Sequence, residues 1–351
     1  VPDVLEDLLD QAGIPGAVTL VTDRDGTTVR RAAGLADVES GTPMSEDALF
    51  WIASMTKSIT AVLVLGLVDE GVLDLDNPVD RYIPSFRPSV LRVDPSGTTV
   101  EAVPPRSPVT LRRLLSHRAG IPYESVLERP LHDTAPITTQ IQAYALSPLL
   151  HEPGSRFAYS DAGLLLAGAV AEVATATPYE TLLQERLLDP LGMADTTFWP
   201  DTARLVTPYR SDASGVVSAP IEELSAPLDD RVSRYPVPGG GLFSTAADIG
   251  ALCRMLLRGG EADGRRYLSE TAMSEMTTAH LDPMSQAPSG PYGLGWFIGE
   301  KGSFGHGGMY GSAMRMSPAD GVATVWLQQC LSTVSGESVA EFERRASNGT
   351  W

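Results

Sequence analysis

A serine followed three residues later by a lysine, at the head of a long apolar run, constrains this chain more than any other feature. The stretch from Trp51 to Asp69 reads Trp-Ile-Ala-Ser54-Met55-Thr56-Lys57 and then Ser-Ile-Thr-Ala-Val-Leu-Val-Leu-Gly-Leu-Val-Asp. The run after Ser54 has no proline and is long enough for about four helical turns, which predicts a buried helix with Ser54 at its N-terminus. Residues i and i+3 share a helix face, so Lys57 stands beside a hydroxyl that also feels the positive end of the helix dipole. A neutral amine in that place can take the hydroxyl proton. Only Lys57 and Lys301 among the 26 basic residues are lysines. A guanidinium does not deprotonate in proteins and a buried amine can, so lysine is kept where proton chemistry needs it. The same residues also have a structural reading, with Ser54 as a helix cap and Lys57 as an ion-paired or solvated side chain.

The chain of 351 residues, 43% hydrophobic and 20% charged, is long enough for a large core. A net charge of −18 opposes nucleic acid or an anionic membrane as partner. Cys253 and Cys330 are far apart and form no Cys-x-x-Cys pattern, so neither a zinc site nor a disulfide framework is expected, and one disulfide stays open. No apolar run reaches the roughly 20 residues of a membrane span. The first residues are acidic and amphipathic, unlike a signal peptide. The chain starts with Val, so cytoplasmic location and export with a removed leader both stay open.

Periodicity and turn residues predict a helix over 3–12, then a hairpin of strands 17–22 and 28–33 around Asp23-Arg24-Asp25-Gly26. Seven prolines between 77 and 108 predict an extended loop with little regular structure. Helices are expected over 110–117, 135–145, 161–175 and 179–188, and a second irregular segment over 201–238. Helices over 245–257 and 270–277 follow, then strands at 292–298, 312–316 and 322–328 and a closing helix over 338–345. This order predicts an α/β (α+β) unit: an antiparallel sheet built from both chain ends and flanked by helices, with an additional mostly helical lobe. Residues 1–75 with 240–351 make the α/β lobe and 76–239 the helical, loop-rich one, in a single catalytic unit. A cleft between lobes is the expected place for a site.

Two further segments carry side chains or backbone suited to acyl chemistry. Tyr159-Ser160-Asp161 precedes an apolar helix, and a phenol can shuttle a proton when a nearby cation lowers its pKa from about 10. Gly305-His306-Gly307-Gly308-Met309 precedes a late strand, and glycines there let the backbone present an N–H to a substrate carbonyl. A half-buried tyrosine and a glycine-rich turn are the plain structural alternatives.

Taken together, Ser54-Met55-Thr56-Lys57, Tyr159-Ser160-Asp161 and His306-Gly307-Gly308 resemble, in order and spacing, the motifs of the penicillin-recognising serine hydrolases. The pattern is most similar to the class C β-lactamases and the family VIII carboxylesterases that share their fold. Supporting segments resemble the same family: Leu114 to Pro122, Pro153 to Phe157, Gly240 to Asp248 and Tyr292 to Trp296. The resemblance implies Ser54 as acylated nucleophile, Lys57 as its proton acceptor, Tyr159 as second acid/base group, and the amides of Ser54 and Met309 as oxyanion hole. His306, Gly307, Gly308 and Asp161 would line the substrate site. Two departures stand out. The family's second motif usually ends in Asn where this chain has Asp161, and its third begins with Lys where this chain has His306. The His-Gly-Gly form is more like the esterase branch.

The expected function is hydrolysis of carboxylic esters through an acyl-enzyme on Ser54, with a small-molecule ester or amide as partner and neither cofactor nor metal. The alternatives are an amidase, D-peptidase or β-lactamase, an acyltransferase using an acceptor other than water, and a non-catalytic sensor or scaffold. Either Lys57 or Tyr159 is the base: an ionised Asp161 in contact with Lys57 would favour charged lysine and pass the role to Tyr159. Tyr123, Trp296 and Tyr310 suit an apolar substrate group and equally well suit packing. Substrate identity and oligomeric state are not written in the chain.

Overall fold

The computed structural model describes residues 4–26, 28–94, 96–123, 125, 133–212, 215–280, 290–332 and 334–351. Seven strands form one antiparallel sheet in the order Phe297–Ile298, Phe304–Gly307, Ala313–Ser317, Val322–Leu327, Gly16–Asp23, Thr28–Asp37, Thr42–Pro43. The two chain ends meet in its middle. Gly16–Asp23 pairs with Val322–Leu327, with Val18 opposite Leu327 and Asp23 opposite Val322.

Successive strand residues point to opposite faces, and both faces are covered. Val18, Leu20, Val325 and Leu327 join a large core with the helix Ala246–Leu257. Ala17 and Trp326 face the other way, into a smaller core with Leu5, Leu8 and Phe342 from the terminal helices Val4–Ala12 and Ser335–Ser347. The helix Met55–Asp69 runs through the large core and is apolar nearly all round, as a helix without a solvent face must be. Asp161–Thr175 packs against it. The two are tied through Tyr179, whose hydroxyl lies 2.6 Å from Thr60 Oγ1 and whose amide donates to Glu172 Oε2 at 2.9 Å. No single helix among the described residues is long and apolar enough to cross a membrane.

Several expectations need correction. The proline-rich segment 77–108 carries a hairpin, Val90–Val93 against Val100–Val103. Asp94 closes its turn by accepting from the amides of Thr98 and Thr99. The segment 201–238 likewise holds a hairpin, Tyr209–Asp212 with Gly215–Ser218, and Tyr209 pairs with Cys330 in parallel. The strand expected over 292–298 shrinks to Phe297–Ile298, because the Leu294 and Gly295 amides donate to the Met276 and Leu115 carbonyls instead. The glycine-rich turn contains a strand, Phe304–Gly307. The helix over 110–117 is shorter, Leu111–Leu115, capped by Thr110, and the closing helix is longer. Cys253 and Cys330 are both free and buried.

Candidate active site

Ser54 sits at the start of its helix after Ala53, whose φ of +44° turns the chain sharply into the first turn. Its side chain makes no capping bond, so the structural alternative for this serine does not hold. Oγ instead accepts a hydrogen bond of 2.9 Å from Lys57 Nζ.

Lys57 is fully buried, and Nζ has two more acceptors: the carboxylate Oδ1 of Asp161 and the Gly239 carbonyl at 2.7 Å. An ammonium has three N–H donors and no acceptor, and here three acceptors surround it. Burial pushes its pKa down, but the charge of Asp161, then that of Tyr159, outweighs it, and the net direction is up. Lys57 is therefore held as a cation. Gly239 is close because it has no side chain: a Cβ there would come within 2.6 Å of the Asp161 carbonyl oxygen.

Asp161 opens its helix next to Ser160, whose hydroxyl caps it by accepting from the Ala162 amide at 3.1 Å. The second carboxylate oxygen accepts from the Tyr123 hydroxyl at 2.9 Å. The cap also fixes Tyr159 just upstream, with its ring 4.8 Å from Lys57 Nζ and 4.4 Å from the ring of His117.

The strand Phe304–Gly307 leads into Gly308, whose backbone lies against Ile52, two residues before the serine. A Cβ on Gly308 would stand 2.6 Å from the Ile52 carbonyl oxygen, so only glycine lets the backbones approach this closely. Among the described residues neither the Ser54 nor the Met309 amide donates a hydrogen bond inside the protein. Gly307 pairs with Ala313 in the sheet.

His306 is buried with both ring nitrogens engaged, Nδ1 with the Gly307 carbonyl at 2.8 Å and Nε2 with the Tyr292 hydroxyl at 3.2 Å. Burial, then the Lys57 charge, pushes its pKa down to about 3, so the ring is neutral. Of the three aromatic residues considered for the cleft, only Tyr123 is exposed. Trp296 is buried against Phe304, and Tyr310 against Trp51, so both are packing residues. Residue patterns alone did not single out the Gly239 carbonyl, His117 or Tyr292. They lie in or beside the supporting segments, where nothing in residue type announces a role.

A serine beside a buried ammonium, with a phenol close to that cation and idle amides at Ser54 and Met309, is equipment for acyl transfer: this is a serine hydrolase with the β-lactamase and transpeptidase fold. The Beta-lactamase family model matches residues 1–347, and the chain belongs to that family. Esterase EstB of Burkholderia gladioli is 34% identical over 274 residues, covering 70% of this chain and 66% of that one. Penicillin-binding protein 4 of Amycolatopsis lactamdurans is 30% identical, over 90% of this chain and 80% of its own. Among solved structures, EstCE1, described as a hydrolase with promiscuous acyltransferase activity, superposes with a TM-score of 0.82 at 25% identity, covering 99% and 96% of the two chains.

Proposed function

We propose that the chain hydrolyses small carboxylic esters through an acyl-enzyme on Ser54. The observation that carries the mechanism is the three-acceptor setting of Lys57, which leaves it no lone pair for a proton. Tyr159, beside that cation, is then the base. It takes the Ser54 proton while Oγ attacks the ester carbonyl, and the Ser54 and Met309 amides stabilise the oxyanion. Collapse expels the alcohol, which leaves with the proton from Tyr159. Water, deprotonated by Tyr159, then attacks the acyl-enzyme, and Tyr159 returns that proton to Oγ as the acid leaves.

The preference for esters rests on what the described residues of the site lack for a carboxylate-bearing β-lactam or peptide. Lys57 has no free N–H and His306 is neutral with both nitrogens engaged, so neither serves as counter-ion for a substrate carboxylate. An ester also has a better leaving group than an amide and asks less of the acid. EstB, an esterase by name, supports this reading. The acyltransferase activity stated for EstCE1 supports a second one, in which an alcohol replaces water in the last step. In lobe terms, Ser54 and Met309 come from 1–75 with 240–351 and Tyr159 from 76–239.

The test is a panel of aryl esters of increasing acyl length, a chromogenic cephalosporin and a D-alanyl amide, compared by kcat/KM. The aryl esters should lead, and Ser54→Ala should abolish their turnover. Fast cephalosporin hydrolysis with negligible ester cleavage would reverse the assignment.

A further inference from the structure

His117 touches the catalytic tyrosine segment in three ways. Its carbonyl accepts from the Ala158 amide at 2.8 Å, its Nδ1 accepts from the Ser160 amide at 3.3 Å, and its ring lies against Tyr159. The residues on either side of Tyr159 are thus both bonded to one histidine. To allow this, His117 adopts a φ of +55°, in the left-handed region where a side chain is uncommon.

Those bonds have a consequence for proton positions. Because Nδ1 accepts from a backbone N–H, a neutral His117 carries its proton on Nε2, which lies 3.2 Å from the Tyr292 hydroxyl. Tyr292 accepts there and donates onward to His306 Nε2, also at 3.2 Å. His306 must then carry its proton on Nδ1, which donates to the Gly307 carbonyl. Every link has one proton, and all three side chains are buried. A proton added to His117 at Nδ1 would face the Ser160 N–H, and one added to His306 at Nε2 would face the Tyr292 hydroxyl proton.

We propose that His117, Tyr292 and His306 form a directed hydrogen-bond chain that positions the Tyr159 phenol at one end and the Gly307 to Met309 backbone at the other. They are positioning residues, and the proposal rests on the catalytic reading of Tyr159 and Met309. Burial and the Lys57 ammonium oppose a charge on either ring, and on His306 they outweigh the Gly307 carbonyl hydrogen bond and Asp161, which favour one. The chain therefore stays neutral at working pH, and the two histidines hold opposite tautomers.

The tautomers can be read directly. With 15N-histidine in the full chain, and signals assigned through His117→Gln and His306→Gln, His117 should show the Nε2–H form and His306 the Nδ1–H form. Neither should titrate between pH 7.5 and 5. Matching tautomers, or titration of either ring in that range, would overturn the chain. In kinetics, Tyr292→Phe should lower kcat on the order of 10- to 100-fold with KM little changed, since a misplacement of about 1 Å costs that much. His117→Asn keeps an acceptor near Nδ1 and should retain more kcat than His117→Ala; wild-type kcat in Tyr292→Phe would refute the positioning role. Labelling of the wild type by a fluorophosphonate separates the two levels. No label at Ser54 would sink the catalytic reading and leave the tautomer result standing, whereas a labelled enzyme with the wrong tautomers would sink only the chain.

Discussion

Lys57 has no proton to spare and none to receive, and that state depends on Asp161. Replacing Asp161 by Asn removes the charge that raises the lysine pKa and leaves burial, the largest influence, to lower it. The ammonium would then be lost at lower pH, so the alkaline limb of the kcat/KM profile for an aryl ester should move to lower pH. An unmoved limb would mean that Lys57 does not take its charge from Asp161. His306 has the opposite sign. Its pKa falls from about 6.5 to about 3 on folding, so its contribution is complete above pH 6.5 and is lost as pH drops toward 3. At pH 5 that loss is about 2 kcal/mol, from roughly 1.4 kcal/mol per pH unit. Urea midpoints at pH 7 and pH 5 should show it, with a smaller difference in His306→Gln. At this scale the sequence was informative about residue type and silent about state. The serine, lysine and tyrosine are visible as a pattern, but which proton sits where follows from contacts among Asp161, Gly239 and Tyr292, scattered along the chain.

Two backbones carry the proposed oxyanion site, Ser54 at the head of Met55–Asp69 and Met309 just after Phe304–Gly307. Their approach at Ile52 and Gly308 leaves no room for a methyl group. Gly308→Ala should displace the Met309 amide and lower kcat on the order of 10²- to 10³-fold, the usual effect of losing one oxyanion donor. Gly336→Ala, where an added Cβ meets nothing within 4 Å, should leave kcat unchanged. Long elements with sustained periodicity were legible: Met55–Asp69, Asp161–Thr175 and Ala246–Leu257 fall within a residue or two of expectation. The short hairpins were not. Val90–Val93 and Val100–Val103 give only four residues each for a pattern to repeat, and the surrounding prolines outweighed them. The strand holding His306 was hidden because glycine has no side chain to alternate.

Across the whole molecule, the terminal helices close the outer face of the sheet. Phe342 is buried there between Trp326 and Trp351, with ring centroids 5.7 and 4.5 Å away. Phe342→Ala should cost about 3–5 kcal/mol in urea unfolding. It lies on the sheet face opposite the serine helix, so kcat of the folded fraction should stay near wild type.

The pairing of Gly16–Asp23 with Val322–Leu327 has a further meaning for biosynthesis. A ribosome delivers Ser54, the proposed nucleophile, some 250 residues ahead of the Met309 amide, so the hairpin made first must wait, with one edge open, for its neighbour. Until Val322–Leu327 has been made the polypeptide is an incomplete reagent, and a nascent chain stalled before residue 322 should cleave nothing.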